Sequence, residues 1–270
     1  MLATDHRRRG AETVTTGLLQ GKVALVSGAG AGIGRAVAHR FAREGATLWL
    51  NDLRHDAFDA VLAEVRALGA TAEGLPGDMS DSTFVDHWVG AAVTEHGRVD
   101  VLYNNVGVSR TGLIGDITDA DWRFVQSVTL DSVFFATRAV LPHMVANGGG
   151  SIVSMSSGAG IGGQYQLGGY AAAKAGVINL METVATEYGH LGVRANAVTP
   201  GPTETSPLLA HLEQQPGGVA AHVADLDLAR LSQPEEVAAT VTWLASDEAS
   251  NLTGICVRSN IRAASRRPVR

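Results

Sequence analysis

Tyr170 and Lys174 stand four residues apart in the run Tyr-Ala-Ala-Ala-Lys, and Ser157 lies thirteen residues before the tyrosine. On a helix, positions four apart share a face, so a phenol and an ammonium would point into the same space. An ammonium beside a phenol favours the phenolate and lowers the tyrosine pKa. From an ordinary value of about 10, a fall of roughly two to three units makes the phenol a proton donor and acceptor near neutral pH. A chance pair on the surface would read the same way, so the elements around the pair must decide.

Those elements alternate between strand-like and helix-like runs. Residues 22–27 (KVALVS) read as a buried strand, followed by glycines and a helix near residues 33–44. Residues 47–52 (TLWLND) form a second strand, and residues 56–68 a helix striped by Phe58, Val61, Leu62, Val65 and Leu68. A third strand near 71–75 and a helix over 81–95 lead to a fourth strand at 99–104 (VDVLYN). A long helix over 119–146 takes Asp119 as its N-cap and is closed by Asn147 and three glycines. Residues 151–156 (SIVSMS) are a fifth strand, 170–188 a second long helix and 193–198 a sixth strand. Pro234 opens a further helix to about residue 244, and 255–257 form a short seventh strand. Alternating β and α runs with non-alternating apolar strands predict an α/β fold, a doubly wound parallel sheet with helices on both faces. No repeat or linker divides it. One domain is expected over residues 20–258, between a flexible tail at 1–19 and an atypical basic tail at 259–270.

A chain of 270 residues suits one large α/β domain or two small ones. The single cysteine, Cys256, excludes an internal disulfide framework and suits a reducing, cytoplasmic setting. No apolar run looks long enough to span a bilayer. The opening MLATDHRRRGAETVTTG has arginines but no apolar core of a secretory signal. Residues 1–20 carry +1 and residues 258–270 carry +5, which leaves −12 on the body of a chain whose total is −6. An acidic body argues against nucleic acid, which needs clustered Lys and Arg. No metal site is expected, since the nine histidines are scattered and the cysteine has no partner at ligand spacing.

Between the first strand and first helix stands SGAGAGIG, with Gly28, Gly32 and Gly34. Glycines there permit a tight turn, close approach of backbone to a pyrophosphate and close helix–strand packing. The helix start beyond them offers free N–H groups to phosphate. Asp52 closes the second strand, 24 residues after Gly28. A carboxylate there accepts hydrogen bonds from an adenosine ribose 2′-OH and repels a 2′-phosphate. The loop holds no Lys or Arg, and Leu53 follows Asp52, although Arg54 is close by. NAD is therefore expected over NADP.

Together these residues resemble the classical short-chain dehydrogenase/reductase family, from about Gly21 to Gly254. SGAGAGIG is similar to the family's Thr-Gly-x-x-x-Gly-x-Gly, with Ser27 for the threonine. Asp78-Met79 resembles the acidic position after the third strand, and Asn104-Asn105-Val106-Gly107 the family's Asn-Asn-Ala-Gly. Ser157, Tyr170 and Lys174 match the catalytic trio in spacing, and Pro200-Gly201 with Thr205 resembles Pro-Gly-x-x-x-Thr. The resemblance implies a single-domain Rossmann fold of seven strands in the order 3-2-1-4-5-6-7, and a nicotinamide-linked interconversion of alcohol and ketone. It implies Tyr170 as acid/base, Ser157 bonded to the substrate oxygen, and Lys174 lowering the tyrosine pKa and binding the nicotinamide ribose. The implied cofactor contacts are Gly28, Gly30, Ala31, Gly32, Ile33 and Gly34 in the loop. Asp52, Leu53, Asp78, Met79, Asn105, Val106 and Gly107 follow, then Pro200, Gly201, Thr203 and Thr205. A homo-oligomer, tetramer or dimer, is implied as well.

Three positions depart from the family pattern. Seven residues after Trp122 the family often has an asparagine whose backbone carbonyl holds a relay water, and this chain has Thr129. Every residue has that carbonyl, so Thr129 either preserves the relay or loosens the helix. Val106 replaces a small alanine, and its extra methyls should be absorbed by neighbours. After Thr253-Gly254 comes ICVRSNIRAASRRPVR in place of the usual ending in Asp-Gly-Gly, which predicts altered or weakened packing around the last strand.

Residues 202–227 should form a mobile substrate lid with Leu208, Leu209, Leu212 and Leu226, hinged at Pro216-Gly217-Gly218. Residues 158–169 should line the same cleft through Ala159, Ile161 and Leu167, with Gln164, Tyr165 and Gln166 available for polar recognition. Nothing cationic is fixed there, which disfavours strongly anionic substrates. The leading reading is an NAD-dependent oxidoreductase acting on a small or medium alcohol or ketone. The rivals are another enzyme on the same scaffold, such as an epimerase or dehydratase, and a non-catalytic cofactor-sensing protein.

Overall fold

Apolar runs that do not alternate can be buried on both faces of a parallel sheet, and this chain builds its centre that way. The computed structural model describes residues 17–260 apart from 225 and 227. Seven parallel strands run in the order 3-2-1-4-5-6-7. They are β1 (Val23–Val26), β2 (Thr47–Leu50), β3 (Ala72–Gly74), β4 (Val101–Asn104), β5 (Gly150–Met155), β6 (Val193–Pro200) and β7 (Cys256–Ser259). The helices are α1 (Gly32–Arg43), α2 (His55–Ala67), α3 (Ser82–His96), α4 (Asp119–Gln126), α5 (Ser132–Ala146), α6 (Gly168–Tyr188), α7 (Ser206–Glu213), α8 (Gly218–Val223) and α9 (Pro234–Ala245). The pleat of β1 sorts its side chains into two cores. Ala24 and Val26 pack with α1, α2 and α9, while Val23 and Leu25 pack with α3, α5 and α6. The carboxyl ends of the strands share one edge. The crevice opens there between β1 and β4, where the strand order reverses.

The helix expected over residues 119–146 is α4 and α5 joined by a π-helical turn, Ser127–Asp131. Its cap is Thr118 rather than Asp119. The Thr118 hydroxyl accepts from the Asp121 N–H at 3.1 Å, while Asp119 lies within the first turn and pairs with Arg123. By length and composition alone, Asp119–Ala146 could cross a membrane, contrary to the expectation from the apolar runs. In the fold its residues Val133, Ala136, Val140 and Met144 are buried in the second core.

Both ends of the domain lie further out than expected. Leu19 is fully buried, and the N–H groups of Leu18 and Leu19 donate to Glu44 at 2.9 and 3.0 Å, so residues 17–19 belong to the fold. Residues 1–16 and 261–270 of the two expected tails lie outside the described residues. The last strand is not lost with the missing Asp-Gly-Gly. β7 pairs in register with β6 from Ala197↔Cys256 to Pro200↔Ser259, and Ile255 and Val257 pack against the first core. Counted from Thr253-Gly254, Asn260 stands where the pattern has its aspartate, and it is buried.

Gly34 shows why the start of α1 needs glycine, since a Cβ there would fall on the Gly28 carbonyl and within 2.7 Å of the Asn105 amide nitrogen. Gly90, inside α3, faces open space. In urea unfolding, Gly34→Ala should cost about 1–3 kcal/mol. Gly90→Ala should instead gain roughly 0.5–1 kcal/mol.

Candidate active site

β5 delivers Met155, Ser156 and Ser157 to the crevice, and α6 begins two residues before Tyr170. The first turns of α6 therefore face the end of β5. Lys174 is 2 % exposed, and its Nζ donates to the Met155 carbonyl at 2.7 Å. The Ser156 hydroxyl donates to the Lys174 carbonyl at 2.8 Å, a second tie between strand and helix. Ser157 caps a short 3-10 turn, its hydroxyl accepting from the Ala159 N–H at 3.2 Å, and it stands close enough to the Tyr170 phenol to lower its pKa. Lys174 Nζ lies 5.7 Å from the centre of the Tyr170 ring. The fold thus brings the three expected residues together.

Their charges are set first by burial. Desolvation pulls the Lys174 ammonium from 10.5 down to about 7. Burial also raises the Tyr170 pKa, outweighing the nearby Ser157 hydroxyl, which works the other way. Burial, rather than the expected pull of the lysine, sets the direction of this shift. An amine lowers a phenol through its charge only while it is protonated, and a lysine titrating near 7 is about half neutral at neutral pH.

Thr129 and Gly107 stand behind the lysine. A Cβ at Gly107 would come within 3.0 Å of Lys174 Nζ and 3.5 Å of Thr129 Cγ2. The buried Thr129 hydroxyl accepts from the Val108 N–H at 3.0 Å and donates to the Val108 carbonyl at 3.0 Å. One hydroxyl closes both bonds, so the π turn is clasped to the loop after β4 rather than loosened.

The glycine loop turns through left-handed Gly28 (φ 62°) and Gly32 (φ 52°), a conformation that favours glycine. Ser27 Oγ accepts from the Asn105 N–H at 3.1 Å, and the Asn105 amide donates to the Gly28 carbonyl at 2.9 Å, locking the loop to the end of β4. No side chain caps α1 after Ala31, and its first turn holds no acid, so its N–H groups remain available to an anion. Asp52 accepts from the Gly30 N–H at 2.8 Å and the Arg54 N–H at 3.0 Å. The Arg54 side chain is 3.9 Å away and largely exposed, and Leu53 is exposed beside it. This donor and acceptor set fits the phosphates and ribose of a dinucleotide.

The remaining expected contacts differ in placement. Ile33 packs on the first core, while Met79 and Val106 pack with the second, which absorbs the extra methyls of Val106. Asp78 holds Ser80 through its N–H and hydroxyl. Pro200 and Gly201 end β6, and the Thr205 methyl lies 3.1 Å from where a Gly32 Cβ would stand, beside the glycine loop. Thr203 is buried in the turn, with its hydroxyl spent on the Gly201 carbonyl. Of the expected cleft residues, Tyr165 is fully on the outside and Ala159 is buried. Leu167 forms a bridge with Gly112, tying residues 158–169 to the loop after β4. The expected lid folds as α7 and α8, with left-handed Gly217 before α8 and left-handed Gly218 opening it, and with Leu212 and Leu226 buried beneath. Asp227, its expected limit, lies outside the described residues. Sequence reasoning missed the Met155 carbonyl and the roles of Ser27 and Gly107. Only the glycine after Asn-Asn-Val carried a signal.

Burying Lys174 bears on stability as well as chemistry. Between about 7 and 10.5 the unfolded chain holds the proton that the folded chain releases, so this group adds stability as pH rises and costs most below about 7. At about 1.4 kcal/mol per unit, the cost is bounded by roughly 5 kcal/mol. Lys174→Met should therefore raise Tm relative to the parent more at about pH 6 than at about pH 9.5. A gain independent of pH would contradict it. Thr129→Val keeps the shape but leaves the Val108 N–H and C=O unpaired. It should cost about 1–3 kcal/mol in urea unfolding.

The sequence also aligns with known proteins. A family model described as Enoyl-(Acyl carrier protein) reductase matches residues 28–259. The 3-oxoacyl-(acyl-carrier-protein) reductase FabG of Thermotoga maritima is 40 % identical over 243 residues, covering 87 % of this chain and 95 % of its own. A short-chain dehydrogenase/reductase of Armillaria gallica is 38 % identical over 248 residues, covering 89 % and 95 %. Among solved structures, 7α-hydroxysteroid dehydrogenase complexed with NADH and 7-oxo glycochenodeoxycholic acid superposes with a TM-score of 0.86 at 29 % identity, covering 92 % of this chain and 97 % of that one.

Proposed function

The chain belongs to the short-chain dehydrogenase/reductase family of oxidoreductases, and on that premise we propose that it interconverts a secondary alcohol and a ketone with NAD(H). The observation that carries this reading is the convergence of Ser157, Tyr170 and a fully buried Lys174 at the carboxyl end of β5. When bound, the nicotinamide supplies hydride chemistry, and the protein supplies orientation and protons. Tyr170 passes a proton to or from the substrate oxygen through its phenol, and Ser157 hydrogen-bonds the same oxygen. Ribose hydroxyls beside Lys174 Nζ would favour its ammonium form, and the charged lysine then favours the phenolate. Thr129, clasped to Val108, positions the π turn behind the lysine.

The cofactor would be held by Gly28, Gly30, Ala31, Gly32, Ile33 and Gly34 at the phosphates, and by Asp52 and Leu53 at the adenosine. Asp78, Met79, Asn105, Val106, Gly107, Pro200, Gly201, Thr203 and Thr205 would complete its site. Asp52 supports NAD over NADP, because its carboxylate opposes a 2′-phosphate. An uncharged substrate is supported by Arg110, the cation near the cleft loop, which is already engaged by Asp121 and the Phe124 ring. The relative named a 3-oxoacyl reductase and the neighbour named a hydroxysteroid dehydrogenase support a ketone or secondary alcohol. A homo-oligomer is supported by the apolar groove of about 430 Å³ between α5 and α6, where Phe134 and Leu191 stay exposed. The lone Cys256 suits a cytoplasmic setting.

Absorbance at the reduced-nicotinamide band, with a panel of secondary alcohols, tests the reading. Tyr170→Phe should lower turnover by about 10²–10⁴-fold while cofactor binding persists. Calorimetry should show NAD binding at least about tenfold tighter than NADP, or about 1.4 kcal/mol. Undiminished turnover in the variant, or tighter NADP, would sink the corresponding half.

A further inference from the structure

Residues 202–232 leave the sheet at the end of β6 and return to α9, and their two arms meet at the base. Thr203 bridges Ser232, the Ser232 N–H donates to the Pro202 carbonyl at 2.9 Å, and the Glu204 N–H donates to the Ser232 carbonyl at 2.8 Å. The outgoing arm runs beside the glycine loop through Thr205. The returning arm, residues 228–232, has neither helix nor strand to hold it.

The arm's Arg230 side chain pairs with Glu236 of α9, and Asn260 holds the arm's backbone. Its carboxamide oxygen accepts from the Leu228 N–H at 3.0 Å, and its nitrogen donates to the Arg230 carbonyl at 2.7 Å and the Ser232 hydroxyl at 3.4 Å. Among the described residues, the backbone hydrogen bonds that leave residues 228–231 for the rest of the domain go to this one side chain. The residue is anchored in turn. The Gly201 N–H donates to the Ser259 carbonyl at 2.6 Å, and a Cβ on Gly201 would fall on the Asn260 carbonyl. Asn260 also takes a left-handed backbone (φ 47°), which asparagine tolerates better than most residues. The residue is 9 % exposed, so its polar atoms have little water to fall back on.

We propose that Asn260 is a positioning residue that latches the returning arm of the lid to the end of the sheet, and so sets how firmly the lid covers the organic substrate. The amide chemistry is specific. Aspartate keeps the acceptor for Leu228 but offers no donor to the Arg230 carbonyl, and alanine offers neither. The kinetic part rests on the oxidoreductase reading above, while the structural part does not.

The test compares full-length protein with Asn260→Ala and Asn260→Asp by hydrogen–deuterium exchange and by steady-state kinetics. In Asn260→Ala, peptides covering residues 226–233 should exchange about tenfold faster or more, with β4 and β5 unchanged. Asn260→Asp should fall between. KM for the organic substrate should rise about tenfold while kcat stays within roughly twofold, because the latch touches no reacting atom. Unchanged exchange in the lid, or equal acceleration through β5, overturns the latch. Faster lid exchange with unchanged KM overturns its part in substrate binding. If the parent protein turns over no alcohol or ketone, the functional reading fails, and the exchange data alone decide the latch.

Discussion

The site is organised around the cost of burying one ammonium group. Lys174 has no exposed route for its charge, and one strong acceptor, the Met155 carbonyl, meets it. That carbonyl is available because β5 ends there and its next residues turn away into the Ser157 cap. The helix that carries the lysine is tied back to the same strand through Ser156. A side chain at Gly107 would crowd the lysine amine, and the loop holding Gly107 is fixed by the Thr129 clasp to Val108. These contacts come from strand, loop and helix, so the geometry at Tyr170 is set by all three together.

A second constraint joins the two halves of the crevice. Parallel strands bring no hairpin across the switch point, so the ends of β1 and β4 need another link. Asn105 provides it, its N–H donating to the Ser27 hydroxyl and its side-chain amide to the Gly28 carbonyl. The glycine loop can then stay free of side chains and still hold a fixed shape. Asp52 fixes it from the other side by accepting from Gly30. Its carboxylate thus shapes the loop from the β2 side.

Much of this was legible in the residues. Buried parallel strands announce themselves by apolar runs without alternation, and the sheet lies where those runs predict. The spacing of Ser157, Tyr170 and Lys174 identified three groups that the fold does bring together. The sequence could not reveal the balance of forces at Tyr170, because burial depends on what packs around it. The π turn was hidden for a related reason. Apolar positions through residues 119–146 satisfy a helical stripe whether or not one turn is widened. Thr118 outcompetes Asp119 as a cap through a single hydroxyl-to-amide contact that composition does not decide. Asn260 looked like part of a disrupted ending, since its partners at Leu228, Arg230 and Ser232 lie about thirty positions away.

The widened turn at Ser127–Asp131 has a consequence for how this helix is encoded. A π turn holds one residue more than the α turn it replaces, and the helices on either side continue as α4 and α5. The extra residue adds length without rotating the flanks, so Val125 before it and Val133 after it can both stay buried. Fold and site are therefore written separately in this stretch. The buried stripe runs on through both flanks, and the turn between them carries Thr129, whose hydroxyl makes the clasp behind the lysine.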